Sequence, residues 1–347
     1  MNKRKQKNSK WSAMMGILLT GSLLCTTTIQ AADEGIEPIN QNNVHKEKMT
    51  KAKKMRNKPM GVVVGSNGGV FPAGKFATIL RYYHLDFDQM YQGTDKIDLP
   101  PLKAGSNAKQ VYERSVDMVN LVLRTGLFED LDARLLIPMR DKEMKIRTPK
   151  GDMTQDNSGI GDMKLISRYR LLWQQQGDPL NLAIGLGIKI PTGSNDSTYN
   201  GKTQPAFLQG GTGSWDPVFE IGMHKIFGQH WYSAHIMYQM TTEGEVGEND
   251  FEAPDQLNYN IGYMYALSQR LDIGMELNGE VKSKAELNGV EQVNTGGHTL
   301  YLTPEINVKF GHGIVFGLSA PIAAYHDLNG TQVGNDYRIA AKLAWFF

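Results

Sequence analysis

The sequence has a single cysteine, Cys25, and no long uninterrupted apolar run. Its main apolar stretch, from Trp11 to Leu24, is interrupted by Ser12, Thr20 and Ser22. A membrane-spanning helix needs about 20 apolar residues, so this stretch is a poor candidate for a membrane anchor. The near absence of cysteine argues against a fold held together by disulfides.

The beginning of the chain predicts a cleaved secretory signal over residues 1–31. Five basic residues precede the apolar stretch, and Ala31 and Ala32 supply the small residues expected at a cleavage site. Cys25 follows Leu24, whereas a lipoprotein cleavage site usually carries a small residue before its cysteine. We therefore expect a mature chain without a thiol or a disulfide.

Neither sign of charge dominates the sequence. The chain has 37 basic and 36 acidic residues, and removal of residues 1–31 leaves 32 of the 37 basic residues. No overall positive field would attract nucleic acid, so we expect no nucleic-acid partner. The mean hydropathy of −0.39 is compatible with a membrane barrel, because strands that alternate lipid-facing and lumen-facing side chains average to moderate polarity.

A polar leader follows the predicted signal over residues 32–74. Basic residues are closely spaced between Lys46 and Lys58, and residues 61–74 are rich in glycine and valine. Such a stretch is typical of a solvated terminal segment, and we expect it to lie in the periplasm. Contact with peptidoglycan, a partner protein or anionic lipid is the alternative.

From residue 75 to Phe347, apolar residues recur at every second position, with turns between the segments. In the clearest segment, Leu180–Ile190, large aliphatic side chains alternate with small or polar ones. Short connections such as Leu127–Asp130 alternate with long ones such as Ser194–Gly213. This pattern predicts an all-β fold, a transmembrane antiparallel up-and-down β-barrel of 12 strands in the cell outer membrane. The even number of strands would return both termini to the periplasm.

The final segment is typical of the last strand of such a barrel. Every second residue from Tyr337 to Phe347 is apolar, while Arg338 and Lys342 belong to the opposite face. We expect this strand, ending in Phe347, to engage the barrel assembly machinery, and the outer wall to contact outer-membrane lipid and lipopolysaccharide. Aromatic residues near the short turns, Trp231 among them, fit a membrane interface better than a soluble β-sandwich.

The first strand, residues 76–87, fits this pattern least well. Arg81 falls in the same alternating set as Ile79, Tyr83 and Leu85, which would face lipid. A basic residue near the bilayer midplane costs roughly 2–4 kcal/mol. The sequence therefore predicts a bulge or a different register in this strand.

One regularity recurs at the predicted outer rim. Three strands end in an apolar residue followed by proline, at Pro138, Pro191 and Pro321, which fits where ladder pairing stops. Three returning strands open with glycine shortly before an aspartate that would point into the lumen near a lysine. These charges form either an ion-paired collar or a binding ring for a polar or cationic group, and an acidic residue on a later strand joins them. The predicted constriction residues are Asp162, Lys189, Asp216, Glu276 and Asp336.

At Leu208–Pro217 the sequence resembles a known family. Together with Ser158–Asp162 and Ile188–Gly193, this glycine-rich stretch is similar to the outer-membrane family named for the meta pathway of phenol degradation. The resemblance extends over Ser158–Phe347. It implies a barrel that acts as a channel or transporter for small hydrophobic or aromatic solutes, and it implies no catalytic residues.

Two other functions stay open. A closed structural or adhesive barrel would act through its extracellular loops, of which Thr241–Asp255 is strongly acidic. An outer-membrane lipid-modifying enzyme would need a hydroxyl beside an imidazole, as Ser233 and His235 provide, but on the predicted luminal face. His224 and His235 have no further ligand at a recognisable spacing for a metal. We therefore expect a small-molecule channel that is not an enzyme, without cofactor or metal.

Overall fold

The computed structural model describes residues 58–102 and 109–347. The predicted signal and residues 32–57 of the predicted leader lie outside the described residues. The described chain is mostly β-structure, with two short 3-10 helices at Gln174–Gln176 and Ala206–Leu208. No helix among the described residues is long and apolar enough to cross a membrane.

Long antiparallel strands form a closed barrel. They are β1 (Phe76–Phe87), β2 (Gln110–Phe128), β3 (Leu131–Thr148), β4 (Gly151–Ile160 and Met163–Leu172), β5 (Asn181–Ile190), β6 (Asp216–Phe227), β7 (His230–Gln239), β8 (Gln256–Ala266), β9 (Leu271–Lys282), β10 (Gly297–Gly311), β11 (Ile314–Ser319 and Ile322–Gly334) and β12 (Arg338–Phe346). Strands β4 and β11 each consist of two pieces, separated by a short irregular step.

The barrel closes between its first and last strands. Strand β1 pairs with β2 on one side and with β12 on the other, so that Tyr82 lies opposite both Val119 and Ala341. Each remaining barrel strand pairs with its two sequence neighbours. The predicted all-β, 12-stranded antiparallel barrel is confirmed.

The two ends of the barrel differ. At one end, called the turn end, short turns join the strands, and Gly228, His312 and Gly313 in these turns adopt positive φ angles of 58°, 49° and 76°. At the other end, called the loop end, most connections are longer and contain strands of their own. These are Gln89–Gly93, Asp95–Ile97, Thr198–Tyr199, Lys202–Thr203, Glu243–Val246, Asn249–Glu252, Glu286–Leu287 and Val290–Glu291.

The outer wall carries an apolar surface. In β12, for example, the alternating side chains of Ile339, Leu343 and Trp345 are exposed. This is the pattern of a strand whose outer face contacts lipid. The expectation that Trp231 lies at a membrane interface is wrong, because its side chain is buried inside the barrel and stacks on His224 with ring centroids 4.3 Å apart.

The expectation that pairing stops at Pro138 is also wrong. Strand β3 continues past Pro138 to Thr148, and its partner in β4 changes there from Met163–Leu172 to Gly151–Ile160. The carbonyl of Pro138 accepts a hydrogen bond from the backbone N–H of Gly161, at 2.8 Å. Proline is tolerated because the neighbouring strand is interrupted where a ladder donor would otherwise be needed.

Strand β1 pairs regularly and has no bulge, but its alternation is the reverse of the one first assigned, as the alternative of a different register predicted. Arg81 lies opposite Lys342 and Asn120, and its alternating set faces the lumen. The lipid-facing assignment of this set was therefore wrong. The consequence is that β1 directs the apolar side chains of Ile79, Tyr83 and Leu85 into the barrel.

Candidate functional site in the barrel lumen

Residues 58–72, called the luminal segment, lie inside the barrel. They belong to the end of the predicted leader, which the sequence analysis assigned to the periplasm. Their backbone forms hydrogen bonds with side chains of β2, β4, β8, β9, β10 and β12. The luminal segment therefore occupies part of the cross-section that the strands enclose.

Carboxylates of the wall accept hydrogen bonds from the backbone amides of the luminal segment. Glu276 accepts from the N–H groups of Val64, at 3.0 Å, and Gly65, at 2.9 Å. Glu305 accepts from the N–H group of Val63 at 2.7 Å. In the same way, Asp272 accepts from the N–H group of Met60, and Asp132 accepts from that of Phe71. Such charge-assisted hydrogen bonds are stronger than those between neutral groups.

Cationic side chains bind the carbonyl groups of the same segment. Lys342 Nζ donates to the carbonyls of Gly61, at 3.1 Å, and Val62, at 2.9 Å. Arg124 donates to the carbonyl of Gly69 at 2.6 Å. Further donors to these carbonyls are Arg168, Arg170, Asn307 and Lys309. The wall thus holds the irregular backbone of the luminal segment from several sides.

Glycine is needed where the luminal segment approaches the wall most closely. A Cβ atom on Gly68 would lie 2.3 Å from the carbonyl oxygen of Gly222 and 2.7 Å from Cα of Met223. Both contacts are with strand backbone, which cannot move aside as a side chain can. The glycine-rich composition of residues 61–74 is consistent with this close approach.

Most charged side chains in the lumen form ion pairs, some between neighbouring strands and some between strands that are farther apart in the barrel. Asp132 pairs with Arg124 and with Arg168, the latter at 3.3 Å, and Glu220 pairs with Arg134. Lys309 pairs with Asp272 at 2.6 Å, and Arg338 with Glu280 at 2.5 Å. Buried charges are stabilised when they are paired in this way. These ion pairs neutralise much of the charge inside the barrel.

Three of the five predicted constriction residues form one buried cluster near the loop end. Lys189 Nζ lies 3.1 Å from Asp162 Oδ2 and 2.8 Å from Asp216 Oδ2. The three side chains are only 5%, 6% and 0% exposed. Asp162 also accepts a hydrogen bond from the N–H of Thr212, and Asp216 accepts one from Gln239. The cluster therefore fastens the connection between β5 and β6 to the barrel.

The other two predicted residues lie elsewhere. Glu276 holds the luminal segment, whereas Asp336 lies beyond the end of β11 and binds Lys96 at 2.6 Å and Tyr91 at 2.5 Å. Burial alone would raise the pKa of Asp336, but hydrogen bonds from Lys96 and Tyr91 outweigh it and hold that pKa below its usual value. Two cavities of the lumen are lined by described residues that include none of the five predicted residues.

The larger cavity has a volume of about 590 Å³ and lies between the luminal segment and the loop end. Its side on β1 to β4 carries both apolar and basic side chains, and the apolar ones are together called the apolar wall. The apolar wall consists of Ile79, Tyr83, Leu85, Phe87, Met118, Val122, Leu136 and Ile166. The opposite side, formed largely by β8 to β10, carries polar groups including Asn258, Asn260, Asn278, Glu280 and Thr299. One side of the cavity therefore combines apolar and basic side chains, whereas the other side is mainly polar.

A smaller cavity of about 100 Å³ lies beside the luminal segment. It is lined by Val315 of β11 and by Lys342 and Phe346 of β12. Ile79 and Arg81 line both cavities. The two cavities are therefore neighbours along β1. Sequence reasoning missed Arg81 as a luminal residue, because its position opposite the luminal Lys342 becomes visible only in the closed barrel.

The hydroxyl and imidazole considered for catalysis lie on the luminal wall. Ser233 and His235 are both buried, and His235 Nε2 lies 3.2 Å from Glu220 Oε2. The described residues include no group of three His, Cys, Asp or Glu side chains arranged to hold a metal ion. The pair formed by Ser233 and His235 does not face the lipid side of the wall.

Comparison with known families finds one match. The model of the family described as "Putative MetA-pathway of phenol degradation" matches residues 115–322. No curated protein matches the sequence.

Comparison with solved structures finds outer-membrane barrels. An outer membrane channel from Pseudomonas putida F1 is 16% identical, with a TM-score of 0.60, over 82% of this chain and 100% of that chain. The β domain of the Bordetella autotransporter BrkA is 12% identical, with a TM-score of 0.40, over 79% of this chain and 99% of that chain. The first similarity supports the fold of a bacterial outer-membrane barrel.

Proposed function

The chain belongs to the phenol-degradation family whose model matches residues 115–322, and from this premise we propose that it forms a narrow outer-membrane channel for small hydrophobic or aromatic solutes. The larger cavity is the observation that carries the proposal. Its volume of about 590 Å³ lies in the range of small-molecule sites, and the apolar wall supplies a surface for an aromatic ring. The polar side opposite would keep the cavity hydrated.

The proposed path runs from the loop end through the larger cavity to the smaller one. Ile79 and Arg81 line both cavities, so a solute would pass these two side chains beside the luminal segment. The luminal segment narrows this path, which favours small solutes over large ones. In this proposal Glu276 contributes indirectly, because it holds the luminal segment in place.

The orientation of the barrel is part of the same proposal. Short turns of outer-membrane barrels face the periplasm and long loops face the exterior, so both termini would be periplasmic. The exposed apolar side chains of β12 would contact outer-membrane lipid, and lipopolysaccharide would surround the loop end. The last strand, with Phe347 at the end, would engage the barrel assembly machinery.

The proposal predicts faster uptake of an aromatic solute through the protein. The fluorescent aromatic probe N-phenylnaphthylamine would be offered to vesicles whose outer leaflet contains lipopolysaccharide, which slows passive entry. We expect uptake above that of protein-free vesicles, and a lower rate for Met118→Gln, which makes the apolar wall more polar. Met240→Gln, at an exposed position after β7, is the matched control and should behave as wild type.

The alternative function is a closed structural or adhesive barrel. The four-stranded sheet of the loop end, which includes Glu243–Val246 and Asn249–Glu252, favours it because that sheet offers an ordered acidic surface. Uptake equal to that of protein-free vesicles would favour this alternative over a channel. Neither proposal assigns an enzymatic activity, since Ser233 and His235 lie on the luminal wall away from bilayer lipid.

A further inference from the structure

Three cations that line the larger cavity differ from the other charges of the lumen. Arg81, Arg114 and Lys164 form no hydrogen bond or ion pair within the part of the chain that the structure describes. The Nε atoms of Arg81 and Arg114 are buried and have no hydrogen-bond partner there. Natural proteins pair most buried polar groups, so each exception calls for an explanation.

The charge around the cavity is unbalanced. Among the described residues that line it, seven are lysine or arginine and one, Glu280, is acidic. Glu280 is already bound by Arg338 and Lys282, at 2.5 and 3.4 Å. The other four cations pair with carboxylates of the wall, whereas Arg81, Arg114 and Lys164 do not; Arg114 lies over the ring of Phe207, 4.7 Å from its centroid, which supplies no negative charge. The cavity therefore presents an excess of positive charge to whatever enters it.

The three unpaired cations stand on the same strands as the apolar wall. Arg81 lies opposite Asn120 of β2. Arg114 is on β2 as well, six residues from Asn120 towards the loop end, which corresponds to about 20 Å along the strand at ~3.3 Å per residue. Tyr83 and Met118, which lie opposite each other, fill the interval. Lys164 extends the cationic set to β4. An apolar surface thus runs between cations at two depths of the cavity.

We propose that the larger cavity binds small organic carboxylates, with the carboxylate at Arg81 and an aromatic or aliphatic body against the apolar wall. A guanidinium group matches the planar geometry of a carboxylate and can donate two parallel hydrogen bonds to it. The apolar body would cover Tyr83, Met118 and Val122. Arg114, near the loop end, would attract the anion first. This inference rests on the proposed channel and narrows its solute class.

The test compares binding of benzoate and of benzamide, its neutral analogue of similar shape. Equilibrium dialysis of the detergent-solubilised full chain, with either compound labelled, measures binding without requiring transport. We expect benzoate to bind roughly tenfold or more tightly than benzamide, and Arg81→Gln to remove most of that preference. Arg81→Lys should retain part of the preference because it keeps the charge. Arg270→Gln, at an exposed position near the turn end, should bind as wild type.

The outcomes separate this inference from the proposed function. Equal binding of benzoate and benzamide, or an unchanged preference in Arg81→Gln, would overturn the carboxylate site even if aromatic uptake is confirmed. Preferential benzoate binding without any uptake would support the site and contradict the channel. Folding of each variant is checked by its heat-dependent mobility on a denaturing gel. If Arg81→Gln does not fold, Arg81→Lys takes its place: a reduced preference for benzoate supports the site, and an unchanged preference overturns it.

Discussion

Deletion of residues 58–72 is expected to open the barrel to small hydrophilic solutes. A barrel of 12 strands lies between those filled by their own side chains and those with an aqueous channel, so a segment inside it has a large effect on the open cross-section. We expect the swelling rate of proteoliposomes in a small sugar to rise on the order of tenfold over that of the full chain. Deletion of residues 33–57, which keeps the luminal segment, is the control and should leave the rate low.

The single substitution Gly68→Leu should also raise the swelling rate in sugar, but by less than the deletion does. Leucine at position 68 cannot be accommodated, because even a Cβ atom there would lie 2.3 Å from the carbonyl oxygen of Gly222. Gly68→Leu should therefore displace the luminal segment while the strands stay paired. Gly159→Leu is the matched control, since a Cβ atom at Gly159 meets nothing within 4 Å. Sugar uptake that stays low after deletion of residues 58–72 would contradict the assigned role of the segment.

Replacement of Lys189 by methionine is expected to cause a large loss of stability. The side chain of Lys189 lies between two carboxylates, Asp162 and Asp216, and all three are nearly inaccessible to solvent. Removing the cation leaves two buried like charges without their common partner. Breaking a buried ion pair by deleting one partner costs about 3–5 kcal/mol. We expect Lys189→Met to lower the free energy of unfolding by about this amount.

Urea unfolding in lipid vesicles, followed by tryptophan fluorescence, measures this loss. Lys202→Met is the control, because Lys202 is exposed in the same connection between β5 and β6. It should change the free energy of unfolding by less than about 0.5 kcal/mol, as surface substitutions usually do. A loss in Lys189→Met no larger than in Lys202→Met would show that the cluster does not stabilise the barrel.

The strands whose two sides differ most in polarity could be predicted from the sequence. In β5, predicted at Leu180–Ile190 and observed at Asn181–Ile190, aliphatic and small or polar residues alternate without interruption. The terminal strand was equally clear, since its apolar set includes Leu343 and Trp345. One side of each strand faces lipid, so the requirement for apolar residues repeats at every second position.

Strand β1 was assigned to the wrong face because both of its sides are partly apolar. The set with Ile79 and Tyr83 was taken as lipid-facing, although it includes Arg81, and the cavity has an apolar wall of its own. Period-two alternation identifies two faces but does not tell which one is buried. The pairing of Arg81 with Lys342 decides between them, and that pairing requires closure of the barrel.

The luminal segment could not be predicted because its contacts join distant parts of the chain. Glu305 is 242 positions from Val63 in sequence, yet its carboxylate accepts the Val63 N–H. The segment is held through backbone groups, which every residue carries, so its composition reveals only the need for small residues. Many luminal acids and bases pair with each other, as Asp272 and Lys309 do. Several of them also hold this backbone, as Glu276 and Lys342 do.

The central claim is that the solute passes through the barrel lumen, and blocking the larger cavity with a covalently attached reagent tests this claim most directly. Cys25 is the only cysteine and lies in the predicted signal, so Met118→Cys would place a single thiol on the apolar wall. A bulky maleimide attached there should reduce N-phenylnaphthylamine uptake to that of protein-free vesicles. The same reagent on Met240→Cys, at an exposed position outside the cavity, should leave uptake unchanged. Undiminished uptake after complete modification of Met118→Cys would contradict passage of the solute through the lumen.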